Sequence, residues 1–180
     1  MLNSPFETLT TERLFLRELL PEDANEIFQL RSSEEVNQFV DRPRAATIDD
    51  AVEFISKIQA LTKKNGSMMW AITLAGKPRL IGTVVYWNVV KEKQEAELGY
   101  ELLPEYQGKG IMNEAVRKVI GFGFGDLKFK TIVAEPKKGN ARSIKLLEKL
   151  GFRLSGETDN GYLTYTICRS EHNEDLVGNA

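Results

Sequence analysis

The strand-like run Glu95 to Leu103 leads through Pro104-Glu105-Tyr106 into Gln107-Gly108-Lys109-Gly110 and then into an amphipathic helix. In that helix Ile111, Met112, Ala115, Val116, Val119 and Ile120 repeat at the helical period. A glycine-rich turn placed between a strand and a helix start constrains everything around it. The glycines permit left-handed backbone and close approach of another molecule, and the first N–H groups of a helix have no intrahelical acceptor. Backed by the positive end of the helix dipole, such a turn suits an anion, a phosphate above all. The other reading is a tight strand-to-helix turn with no ligand. Lys109 is correspondingly a phosphate partner or a solvated loop residue.

The elements on either side predict an α/β (α+β) domain. Leu14 and Leu16 alternate with Phe15 and Arg17 as in a strand, and Pro21-Glu22-Asp23 opens a helix carrying Ala24, Ile27, Phe28 and Arg31. A short helical piece, Glu34 to Val40, precedes a helix begun by Thr47 and Asp50, striped by Val52, Ile55, Ile58 and Leu61, and stopped at Asn65-Gly66. Met68 to Leu74, Leu80 to Asn88 and Glu95 to Leu103 read as an antiparallel meander. After the glycine turn and its helix come a short strand, Thr131 to Glu135, a helix, Ala141 to Leu150, closed by Gly151, and a hairpin. The hairpin pairs Phe152 to Glu157 with Tyr162 to Arg169 through Asn160-Gly161, a two-residue turn signal. The expected order is β-α-α-β-β-β-α-β-α-β-β, about seven strands in a mixed, mostly antiparallel central sheet flanked by helices. One domain over 1–169 and a polar tail over 170–180 account for the chain.

Composition removes several chemistries. With 24 basic against 26 acidic residues and no basic block, nucleic acid is not the expected partner. No apolar run approaches the roughly 20 residues of a bilayer span, so no membrane partner is expected. A single Cys, Cys168, and a single His, His172, cannot assemble a zinc site of Cys and His ligands, and no metal is expected. A Ser-His-Asp hydrolase would have to use His172 in the polar tail. The opening Met-Leu-Asn-Ser-Pro-Phe-Glu lacks a signal-peptide pattern, and the expected location is cytoplasmic.

Two further segments carry candidate chemistry. Asn140 looks like the N-cap of the helix Ala141 to Leu150, and Ser143 lies one turn in on the same side. In Glu95 to Leu103, strict alternation puts Glu97, Gly99 and Glu101 on one face, where the acids are either bases or a solvated strand face. A bulge at Gly99 would change their facing. The Walker phosphate loop does not match, since no Gly-Lys is followed by Ser or Thr at the required spacing. The dinucleotide fingerprint finds two of its glycines in Gly108 and Gly110 but meets Asn113 at the third, which leaves a dinucleotide-binding oxidoreductase as a rival.

The strand order, the opening TERLFLRELLPEDANEIF, the block AELGYELLPEYQGKGIMNEA and the helix NARSIKLLEKLGF together resemble the GNAT family of N-acetyltransferases, and within it the ribosomal-protein N-acetyltransferase (Rim-type) branch. The likeness covers nearly the whole chain. It implies a GNAT-like domain with acetyl-CoA between the splayed ends of Glu95 to Leu103 and Thr131 to Glu135. The pyrophosphate would meet the N–H groups of Gln107, Gly108, Lys109, Gly110, Ile111 and Met112, the pantetheine would pair with backbone near Leu102 and Leu103, and Asn140 and Ser143 would flank the thiol end. The resemblance further implies an amine acceptor that enters from the opposite side and attacks the thioester directly. Glu97 or Glu101 would be the base, and Ser143 a proton donor to the thiolate. Two positions depart from the family pattern: Met112 stands where many members have Gly or Ala, and Leu147 where many have a thiol-protonating Tyr. A thiol of pKa about 8.5 can leave unassisted. The expected acceptor is a protein N-terminal amine, with a small amine such as a polyamine, amino sugar or antibiotic as the alternative. A catalytically silent CoA-binding module is the rival on the same fold. A monomer or homodimer is expected.

Overall fold

The run Met68-Met69-Trp70-Ala71-Ile72 shows no polar alternation, and the computed structural model gives the reason: helices cover both faces of the strand it forms. The structure describes residues 6–64 and 66–170. The expectations placed on residues 1–5, on Asn65 and on the tail from 171, including His172, lie outside them.

The strands are β1 (Leu9–Thr10), β2 (Leu14–Glu18), β3 (Met68–Leu74), β4 (Leu80–Val90), β5 (Glu95–Leu102), β6 (Thr131–Ala134), β7 (Arg153–Glu157) and β8 (Leu163–Cys168). They form one sheet in the order β1-β2-β3-β4-β5-β6-β8-β7, antiparallel except where β5 runs parallel to β6. The helices are α1 (Ala24–Ser32), α2 (Glu34–Asn37), α3 (Ile48–Lys63), α4 (Ile111–Gly125) and α5 (Ala141–Lys149). Against the expected order the structure adds the two-residue strand β1 and counts α2 as a separate turn of helix.

One face of the sheet buries Trp70, Tyr86, Leu98, Val116, Ile120 and Leu147 beneath α4 and α5. The other buries Met69, Ala71, Val85, Ile27, Ile55 and Ile58 beneath α1 and α3. Trp70 and Tyr86 are fully buried and meet edge to face with ring centroids 5.9 Å apart. Arg17 on β2 holds Asp23 at the start of α1 through two bonds of 2.7 Å, and Asp23 also accepts from the Leu20 N–H at 2.8 Å. With Asp23 4% exposed, removing Arg17 strands its carboxylate in the interior, at about 3 kcal/mol.

One local alternative is closed and one expectation is corrected. Gly99 pairs in register with Val85, and the irregularity falls instead in β4 between Trp87 and Val90, where Asn88 adopts a left-handed φ of 44°. Gly99 is required by close approach, because a Cβ there would lie 2.9 Å from the Trp87 indole nitrogen. The last hairpin turns through Asp159-Asn160-Gly161 rather than two residues. Gly161 N–H donates to Thr158 C=O at 3.1 Å, Thr158 N–H to Tyr162 C=O at 2.8 Å, and Gly161 takes φ 77°.

Candidate functional site

Strands β5 and β6 stay paired only through Glu95–Thr131, Ala96–Ile132 and Glu97–Val133; beyond that they part. The remaining half of β5 keeps bonding β4 along one edge. Leu103 N–H donates to Ile81 C=O at 2.9 Å, and antiparallel alternation therefore turns the N–H and C=O groups of Tyr100 and Leu102 toward the open side. Leu102 and Leu103 thus separate. Both backbone groups of Leu103 are engaged, since its carbonyl also accepts from Tyr106 N–H at 3.0 Å. The Leu102 carbonyl faces the gap, where it accepts from Gln107 Nε2 at 3.1 Å.

At one end of the gap lies the glycine turn. Gly108 and Gly110 take φ values of 72° and 74°, and Gly110 is the N-cap of α4. The first intrahelical bond runs from Glu114 N–H to Gly110 C=O at 3.1 Å, which leaves the N–H groups of Ile111, Met112 and Asn113 without a helical acceptor. A Cβ on Gly108 would meet nothing within 4 Å, so the turn is open on that side. Met112 packs against the core beneath the helix instead of closing the turn. Lys109 carries its ammonium 5.7 Å from the Tyr106 ring centroid.

Arg13, from the strand edge, fixes this turn. Its Nη1 donates to the Lys109 carbonyl at 3.1 Å, and its Nε and Nη2 both reach Glu114 Oε2 at 2.6 Å. Thr11 donates to the other carboxylate oxygen of Glu114 at 2.5 Å. Burial alone would push the Glu114 pKa up, but these hydrogen bonds and the Arg13 charge outweigh it and hold the carboxyl below its ordinary value.

On the far wall of the gap, Asn140 caps α5 by accepting from Ser143 N–H at 3.1 Å. Ser143 Oγ lies 2.7 Å from the Tyr100 hydroxyl. Burial pushes the Tyr100 phenol up to about 12, so it stays protonated and can donate across the gap. Leu147, one turn further along α5, is wholly buried in the core.

The α1 and α3 face of the sheet holds a cavity of about 470 Å³ whose lining includes Arg31, Arg42, Trp87, Glu97, Glu101 and Tyr162. Glu97 Oε2 accepts from Asn88 Nδ2 at 2.7 Å. Glu101 is instead ion-paired with Arg42 at 2.6 Å, and Arg42 is steadied by Asn37 Oδ1 at 2.8 Å. Over the mouth, Asp41 accepts from Lys137 and from the Tyr162 hydroxyl, the latter at 2.8 Å. The structure therefore gathers Glu97, Glu101, Asn140 and Ser143 around one cavity, with Gln107 to Met112 at the end of the adjoining gap. Sequence reasoning missed Arg13, Arg31, Arg42 and Tyr100. The opening TERL carried a signal for Arg13, because a charged residue just ahead of the apolar start Leu14-Phe15-Leu16 of a strand invites a search for its partner.

A family model described as Acetyltransferase (GNAT) domain matches residues 13–153. The uncharacterized N-acetyltransferase YoaA of Bacillus subtilis (strain 168) is 32% identical over 151 residues, 84% of this chain and 85% of that protein. The ribosomal protein uS5-alanine N-acetyltransferase of Escherichia coli (strain K12) is 28% identical over 162 residues, 86% of this chain and 82% of its own. Among solved structures, the microcin C7 self-immunity acetyltransferase MccE in complex with acetyl-CoA and AMP aligns with a TM-score of 0.74 at 23% identity, covering 88% of this chain and 93% of that one.

Proposed function

Since the chain belongs to the GNAT family of acetyltransferases, with ribosomal-protein N-acetyltransferases among its relatives, we propose that it moves the acetyl group of acetyl-CoA directly to a primary amine in a ternary complex. A protein N-terminal amine is the favoured acceptor. The observation that carries this reading is the parting of β5 from β6, with an open glycine turn at one end and a carboxylate-lined cavity across the sheet.

The residues present fit the cosubstrate. Gly108 and Gly110 leave room for phosphate, the N–H groups of Ile111 and Met112 point out of the helix start, and the edge of Tyr100 and Leu102 faces the gap to bond an extended amide chain, with the Leu102 carbonyl shared with Gln107 Nε2. When bound there, acetyl-CoA supplies a thioester with a good leaving group. Glu97, tethered only by a neutral amide, takes the proton from the ammonium of the acceptor, directly or through water. Glu101 is committed to Arg42 and shapes the acceptor side instead. Ser143, paired with Tyr100, offers a proton where the thiolate departs. No step needs Cys, His or metal.

The 470 Å³ cavity would also enclose a whole small amine, which supports the second reading of a small-molecule acceptor. Free-thiol release measured across N-terminal peptides, amino sugars and polyamines decides between them. Release with peptides alone supports the first, and release with small amines alone overturns it.

A further inference from the structure

The cavity is polarised. Its helical wall presents Arg31 from α1, Lys57 from α3 and Arg42 from the loop between α2 and α3; its sheet wall presents Glu97 and Glu101 from β5, with Glu135 just beyond β6. Arg42 and Glu101 neutralise each other. Glu97 has its asparagine amide. Arg31, like the exposed Lys57, forms no side-chain ion pair or hydrogen bond with the described residues, but it is half-buried and its guanidinium carbon lies 4.0 Å from the Phe54 ring centroid. Burial, and then the neighbouring Arg42, disfavour its charge, and the nearby Glu101 carboxylate offsets only part of this. A partly desolvated guanidinium keeps its proton, and on the cavity wall its fork of donors is open to a binding partner of opposite charge.

We propose that the acceptor carries a carboxylate a few bonds from its amine, that Arg31 receives this carboxylate, and that the amine is thereby turned toward Glu97 across the same cavity. The inference rests on the acetyltransferase reading and narrows its substrate class. Guanidinium and carboxylate match as a planar, two-bonded pair, which fixes orientation as well as affinity. The stack on Phe54 holds the guanidinium plane for that encounter. An acceptor with only positive charge would set a second ammonium against Arg31 and Lys57 and be repelled. The carboxylate has two sources: the α-carboxylate of a free amino acid, or an acidic side chain following the N-terminal residue of a protein.

The test is kcat/KM of the full-length enzyme with acetyl-CoA and matched acceptors. These are an amino acid against its amide, an Ala-Glu peptide against the Ala-Gln peptide, and spermidine. The wild type is expected to favour the acid member of at least one pair by roughly ten- to hundredfold, through KM. Which pair shows it identifies the source. Arg31→Met should collapse that ratio toward one, and Arg31→Lys should restore part of it. Equal rates on acid and neutral members, or spermidine as the best acceptor, would overturn the proposal while leaving the acetyltransferase reading standing. The wild-type ratio decides this even where a variant fails to fold. No turnover of any amine would overturn both.

Discussion

Arg13 and Lys109 lie 96 residues apart in sequence, yet the Arg13 guanidinium donates to the Lys109 carbonyl at 3.1 Å while also clasping Glu114. A residue just ahead of the second strand thus holds both the glycine turn and the first turn of α4 in place. If that turn receives the pyrophosphate, Arg13→Met should weaken CoA binding about tenfold, the scale of losing charge-assisted hydrogen bonds that preorganise a loop. Calorimetric titration with CoA checks it, and a folded variant with unchanged affinity would assign Arg13 to stability alone.

Gly108 separates strain from contact. Its φ of 72° costs a side chain about 1 kcal/mol, while the space beyond its Cβ position is empty of protein. Gly108→Ala should therefore melt slightly earlier and bind CoA distinctly more weakly. Equal loss in the apoprotein and no loss of CoA affinity would place the phosphates elsewhere.

The two glutamates should part company. Glu97→Gln is expected to lower kcat by roughly 10² to 10⁴ at neutral pH, recovering as rising pH deprotonates the amine in solution, with CoA affinity nearly unchanged. Glu101→Gln breaks the pair with Arg42 and should act chiefly on acceptor KM and on stability. Full pH-rate profiles of both variants distinguish the roles. The reverse pattern would make Glu101 the base.

Much of this was legible beforehand because the signals were local. Glycines at 108 and 110, the Asn140 cap and the alternation of β5 each act within a few residues, and each stands where its pattern puts it. The fold order followed from periodicity. What escaped were partnerships across the chain: Arg42 finding Glu101 59 positions away, Tyr100 finding Ser143 43 away, and Arg31 facing the cavity from α1. Alternation assigned Tyr100 to the face opposite the glutamates without saying that a helix would bring a hydroxyl to it. Glycine at 99 leaves a bulge open as an alternative to strict alternation, but the strand stays in register there, and the crowding that requires the glycine comes from Trp87 on the neighbouring strand.

Acid should loosen the clamp at the turn. Because the Glu114 carboxyl is held below its ordinary value, its contribution to stability is complete above the unfolded pKa of about 4.3 and is lost as pH falls through the lower folded value. The melting-temperature gap between wild type and Glu114→Gln should be constant near neutrality and close below about pH 4. A gap that persists unchanged into strong acid would contradict the ionised Thr11–Arg13–Glu114 cluster.

Direct transfer across the sheet is tested most plainly by following thiol release, acetylated amine and the intact mass of the protein together in one reaction. Without an acceptor, acetyl-CoA should bind and stay whole; with an acceptor, thiol and acetyl-amine should rise in equal amounts while the protein mass never changes. Thiol release without an amine, accompanied by a protein that gains an acetyl group, would contradict direct attack in a ternary complex.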